Sequence, residues 1–385
     1  MVPDQTKRRR WYWAALAAAV IVVCGWYVYH RATAGRPYDP PPLAFRGPSD
    51  QLRRTVVVPT LDSAIGDGRS AVWCGSFQIA WNRLRDDLAK GPIKINGAQA
   101  VADRLNRADL SEDDLYPGSA FAAAGRAADG VAGRIQAEMA RRFPDAPRPD
   151  LDVGPTGAVA YAYLEAFAKF DLPFFDSDDP LPFTDSSGTA APVGAFGIRE
   201  KDEYAYDRLR EQVRVLYADR ETVMRDPKGA EFVLDPCKTS QPYQIVLARV
   251  ARQATLADTI AQVEQKISAN AGAGRYLTNL HARDTFLVPN LAFEISHRFR
   301  EIEGPDKRFS NPGLRDQYLA AAVQTIRFRL DRSGAELSSE SKVYVKPAAS
   351  HFHFDRPFLV YLKKRGGGRP VFAMWVENAE LLDRK

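Results

Sequence analysis

The sequence predicts an α+β protein: large mixed and antiparallel sheets with helices packed around them, preceded by one N-terminal transmembrane helix. Three observations carry this reading. Helical and strand segments are grouped and meander, without the βαβ rhythm of a doubly wound sheet. Residues 324–375 hold three strand segments with alternating or continuous apolar character. An uncharged apolar run follows a basic cluster near the N-terminus. At 385 residues and 45% hydrophobic content, the chain is long enough to bury one large core.

In chain order, Lys7, Arg8, Arg9 and Arg10 mark residues 1–10 as a cytoplasmic basic tail. Residues 11–29, WYWAALAAAVIVVCGWYVY, match the roughly 20 residues a helix needs to cross a bilayer. Trp11, Trp13, Trp26, Tyr27 and Tyr29 sit at the two ends of the run, where amphipathic rings favour the interface. The expectation is a single-pass signal anchor in a bacterial envelope, with the N-terminus cytoplasmic and the C-terminal domain extracytoplasmic. A cleaved signal peptide is the competing reading, with Ala32-Thr33-Ala34 as its cleavage site. Its apolar core would exceed the usual length of about 7–15 residues, and His30 and Arg31 crowd the site. Cys24 follows valine, which makes a poor lipidation signal. Residues 1–43 carry a net charge of +4 out of the chain's +5. The remainder is close to neutral, which removes the electrostatic case for nucleic acid binding.

Residues 30–48 form a linker, stiffened by Pro37, Pro40, Pro41 and Pro42, and the globular domain spans 49–385. A short strand is expected at 56–58. Phe77, Ala80, Trp81, Leu84 and Leu88 fall at helical spacing, so 76–89 reads as an amphipathic helix. Two more helices are expected between Gly97 and Phe143. A mixed region follows: YLEAFAKF, a Pro- and Asp-rich loop at 171–185, a strand near Val193, and a helical or irregular stretch at 201–219. YQIVLARV at 243–250 reads as a strand, followed by a helix at 255–267.

The C-terminal region carries the mechanistic signal. In TIRFRL, Ile326, Phe328 and Leu330 alternate with Thr325, Arg327 and Arg329, as one buried and one wet face require. The following loop keeps that period. Ala335, Leu337, Ser339, Ser341, Val343 and Val345 are small or apolar, whereas Glu336, Ser338, Glu340, Lys342, Tyr344 and Lys346 are polar or amphipathic. A plain connector has no physical reason to alternate over a dozen residues; a segment that must at some time enter a sheet has one. FHFDRPFLVYL, a triple-glycine turn and RPVFAMWVEN complete the region.

These segments resemble the serpin family. DRSGAEL at 331–337 is similar to the serpin hinge, and FDRPFLVYL at 354–362 to the strand that follows the reactive loop. VAYAYLEAFAKFDLPF at 159–174 resembles the central sheet strand, with Phe170 where tryptophan is usual. VPNLAFE at 288–294, followed by Phe309-Ser310, resembles a later strand and its successor. The resemblance implies a serpin-like domain that is not an enzyme but a bait for a serine or cysteine protease. Cleavage of the exposed loop would let its N-terminal part insert into the main sheet. It assigns the hinge to Gly334, Ala335, Glu336, Leu337, Ser338 and Ser339, and the scissile region to Lys346, Pro347, Ala348 and Ala349. The bulk of Leu337 and the charges of Glu340 and Lys342 leave a second reading open, a non-inhibitory serpin-fold binding or scaffold protein.

Other chemical signals favour bland readings. Cys74 in WCGSF resembles part of a papain-like signature, and an envelope hydrolase using Cys74 is a further alternative, but Phe77 stands where such a nucleophile is expected. A buried thiol suits Cys74 better, and pairing with Cys237 is the minority expectation. His351 and His353 share one strand face without a third ligand nearby, so no metal is expected there. Asp171, Asp176, Asp178, Asp179 and Asp185 lack EF-hand spacing and read as a solvated loop. No phosphate-binding, dinucleotide or HExxH motif occurs, and no cofactor is expected.

Overall fold

The computed structural model describes residues 42–167, 169–198, 207–272, 278–281, 283–332 and 350–385. The 11–29 run, the hinge from Gly334 to Ser339 and the segment from Lys346 to Ala349 lie outside them. No helix among the described residues is long and apolar enough to cross a membrane.

Among the described residues, four sheets form the frame. The first has five strands in the order β1 (Phe45–Pro48), β15 (Leu291–Arg298), β16 (Leu319–Leu330), β5 (Ala158–Phe167) and β4 (Ala120–Arg126). The second runs β13 (Thr278–Asn279), β10 (Arg214–Ala218), β11 (Phe232–Asp235), β12 (Tyr243–Arg249), β18 (Phe358–Lys364), β19 (Pro370–Val376), β3 (Ser70–Cys74) and β2 (Thr55–Val57). A third holds β17 (His351–His353), β14 (Thr285–Pro289), β9 (Ala195–Ile198) and β6 (Phe175–Asp176), and β7 (Leu181–Thr184) pairs β8 (Ala190–Val193). The helices are α1 (Ser76–Arg83, extended by a π turn through Ala89), α2 (Gln99–Arg107), α3 (Val131–Arg142), α4 (Asp207–Gln212), α5 (Arg220–Arg225) and α6 (Leu256–Gly272).

The central strand β5 divides its residues between two dry faces. On β5, AVAYAYLEAF, the alanines and Leu164 face one core together with Phe77 and Trp81 of α1. Val159, Tyr161 and Tyr163 face the other, where Val131, Ile135 and Met139 of α3 cover them. The small side chains let α1 lie close against the sheet, and the tyrosines fill the wider gap under α3. Burying both faces at this length removes several hundred Å2 of apolar surface from water at about 25 cal/mol per Å2.

Four local features differ from the sequence expectations. Phe45–Pro48 is not linker: it adds a parallel edge strand to β15, with Pro48 at its end where a missing N–H costs no ladder bond. Residues 120–126, AFAAAGR, form β4 between the two expected helices; alanine has high helix propensity, but antiparallel pairing with β5 overrides it. Residues 214–218 form β10 rather than a helical or irregular stretch. The expected strand at 288–294 is two strands broken at Asn290. In β9, Gly197 (φ +153°) faces β14 so closely that a Cβ would overlap the Phe286 carbonyl, which makes glycine obligatory there.

Candidate functional site: the seam between β5 and β16

One interior boundary of the five-stranded sheet is parallel. β15–β16 and β5–β4 are antiparallel, but β16 and β5 run parallel, registered from Leu319–Ala158 to Arg329–Phe167. Parallel pairing is slightly weaker per residue than antiparallel. A strand laid between β16 and β5 and antiparallel to both would replace one parallel interface by two antiparallel ones. Residues 333–349, which follow β16 in the chain, lie outside the described residues. In the present structure β5 and β16 bond directly, so the seam is closed.

Both ends of that segment are fixed. On the β16 side, the Arg332 carbonyl accepts from Phe174 N–H (3.1 Å), and the Arg332 guanidinium pairs with Asp176 (2.9 Å). On the return side, buried Ser350 donates its N–H to Asp284 (2.9 Å), and its carbonyl accepts from Thr285 N–H (2.9 Å). The Phe174 and Phe286 rings meet tilted at 5.3 Å, and β6 and β17 beside the two anchors belong to one sheet.

One row of side chains crosses the seam. Arg46, Glu294, Arg327 and Glu165 are register partners on β1, β15, β16 and β5, giving alternating charge across four neighbouring strands. Arg46–Glu294 is 3.0 Å, Arg327–Glu294 3.7 Å and Arg327–Glu165 3.2 Å. Glu294 is buried between its two arginines, so either partner's loss leaves a desolvated charge. Burial pushes the Glu165 carboxyl above its ordinary range, against the pull of Arg327. Opening the seam must break the Arg327–Glu165 pair. On the same face, burial pushes the Tyr161 phenol up to about 12 and that of Tyr163 upward as well.

The opposite face has a second fastening. The amide of buried Gln324 on β16 donates to the Cys74 carbonyl (2.9 Å) and to Ser76 Oγ (3.0 Å), clasping the sheet to the end of β3 and the start of α1. This residue was not singled out in the sequence; a glutamine on the apolar face of a strand is the signal that finds it.

The remaining sequence candidates fall into structural roles. Cys74 is buried beside Ser76 (3.2 Å), and burial pushes its thiol up to about 11. Such a thiol is not a nucleophile, so the hydrolase reading of Cys74 fails. Cys74 and Cys237 are both buried and free, not paired. His351 Nδ1 and His353 Nε2 both bond Thr285 Oγ1, at 2.9 and 2.8 Å. The acidic loop is not uniformly solvated: Asp185 is buried and pairs with Arg54 at 2.7 Å, and Asp171 accepts from Thr239.

The candidate site is thus a central sheet closed along a parallel seam, with Arg332 and Ser350 held in place beside it. No protein-family model and no curated protein matches the sequence. Among solved structures, uncleaved ovalbumin aligns over 81% of this chain and 94% of its own, with TM-score 0.50 and 11% identity. The chain has the serpin fold, as the sequence resemblance implied. The native thermophilic serpin tengpin aligns over 86% and 98% (TM-score 0.49, 11% identity), and native protease nexin-1 with heparin over 80% and 92% (0.46, 11%).

Proposed function

We propose that this protein is a membrane-tethered, extracytoplasmic serpin-like inhibitor that offers residues 333–349 to a serine or cysteine protease and traps it by inserting the cleaved loop between β5 and β16. The closed parallel seam beside the loop's exit carries the proposal. Insertion exchanges that interface for two antiparallel ones and buries the apolar row of the loop, so the uninserted state would be a kinetic trap. The alternation supports the same step: Ala335, Leu337, Ser339, Ser341, Val343 and Val345 would face α1, and the polar row the Arg327–Glu165 side. The hinge spans Gly334 to Ser339, and Ala348 is the preferred bait residue, since Pro347 makes the bond after Lys346 a poor trypsin-like target. The basic cluster and apolar run at 7–29 support the tether.

A second reading, a non-inhibitory binding or scaffold protein of the same fold, is favoured by the charge row and the Gln324 clasp, both of which hold the seam shut. One experiment separates them. Pro41–Lys385, which forms one compact unit, is incubated with elastase-like, subtilisin-like and trypsin-like proteases and run on a denaturing gel. A covalent band of summed mass is expected; clean cleavage near Ala348 without that band, and without a rise in melting temperature, sinks the inhibitor and leaves the binding protein.

A further inference from the structure

Away from the seam, a cleft of about 540 Å3 opens where the turn before β11, the end of β12, the segment entering β18 and the end of β19 meet. Its acids are already engaged. Glu377 accepts from Ser186 N–H (3.2 Å) and Trp375 Nε1 (2.8 Å), Glu231 from Ala251 N–H (2.8 Å) and Lys266 (2.9 Å), and Asp67 from Arg252 (2.6 Å). Two of the cleft's four cations are spent as well. Arg249 is closed on the carbonyls of Ala230, His353 and Pro227 and on Asp355, and Arg252 on the Ile65 carbonyl and Asp67.

The other two are not. Among the described residues, Arg356 and Lys228 make neither a hydrogen bond nor an ion pair, and the Arg356 Nε is shut off from water without a partner. Both lie in the field of Asp355, but that carboxylate bonds Arg249 and neither of them. A guanidinium that lines a cleft and has no carboxylate of its own offers a planar fork of donors that matches a carboxylate or phosphate. Beside these cations, Val250, Pro357 and Trp375 supply an apolar wall. Apolar walls with a few convergent polar groups are the usual form of a small-molecule site.

We propose that this cleft binds a small organic anion, a carboxylate or phosphate carried on an apolar body, with its oxygens taken by Arg356 and its charge balanced by Lys228. The assignment is independent of whether the loop inserts. It places the ligand on the segment that joins β17 to β18, directly after the return of residues 333–349.

The test is calorimetric titration of the full chain with phenyl phosphate and with benzoate, using benzyl alcohol and sodium chloride at matched ionic strength as controls. One anion is expected to saturate at one site per chain, and the stronger of the two names the headgroup. Arg356→Lys keeps the charge but loses the fork and should weaken binding about tenfold. Lys228→Gln, at an exposed position that leaves folding intact, should weaken it about threefold with a shallower salt dependence. Absence of saturable binding by either anion, benzyl alcohol binding equally well, or unchanged affinity in Lys228→Gln and any folded Arg356→Lys would each overturn the proposal.

Discussion

Gln324 shows how much one buried side chain can hold. Its amide closes two bonds between the central sheet and the β3–α1 junction. Gln324→Leu keeps the volume but leaves the Cys74 carbonyl and Ser76 hydroxyl without their donor, and should cost about 1–3 kcal/mol. Chemical denaturation of the two proteins checks it. Two histidines make stability fall in acid. Burial lowers both His297, bonded to Ser49 at 2.6 Å, and His353 from 6.5 to about 4. Between these values the unfolded chain is protonated and the folded chain is not, so stability is full above pH 6.5 and is lost as pH falls toward 4. The loss is about 3 kcal/mol per histidine on the 1.36 kcal/mol-per-unit scale. Urea melts at pH 7, 5.5 and 4 should show it, and a His353→Gln variant should flatten the slope; a pH-independent midpoint would refute the assignment.

Among the elements, β16 decides most. It pairs antiparallel with β15 and parallel with β5, and carries Arg327 at the row where charge crosses the seam. Arg327 and Glu165 are partly exposed, so their pair is worth about 1 kcal/mol or less to overall stability. Its kinetic effect is expected to be larger than that figure suggests, because the bond lies across the opening itself. Glu165→Gln should barely move the melting temperature but speed loop insertion after cleavage, read as a higher fraction of covalent complex per bait cleaved. An unchanged fraction would mean that the row steadies the sheet without gating it. Leu337→Ala should act in the same direction from the loop side, by easing a bulky residue's entry between β5 and β16; no change in that fraction would count against insertion.

For the whole molecule, the inhibitory reading predicts that a chain cleaved in the 333–349 segment melts at a higher temperature than the intact chain, because insertion completes a ladder and buries apolar surface. Equal melting temperatures would tie the fold to binding alone. Several parts of this architecture follow from local pattern. The alternation in TIRFRL and the apolar face of 76–83 each fix an element, because side-chain period alone decides which face is buried. The alternation of residues 335–346 is a pattern of the same kind, on residues outside the described ones. Other features have no local signature. β4 is alanine-rich and reads as helix; β1 is short and ends in proline; the row Arg46–Glu294–Arg327–Glu165 joins four separate strands of the chain, and the cleft at Arg356 assembles from six chain segments. The sequence by itself determined periodicity, and with it many of the elements, while its hinge-like and strand-like motifs carried the resemblance to the serpin family. Only the tertiary structure decided register and partnership, because which strand lies beside which, and which charge meets which, is set by long-range pairing that no window of the chain contains.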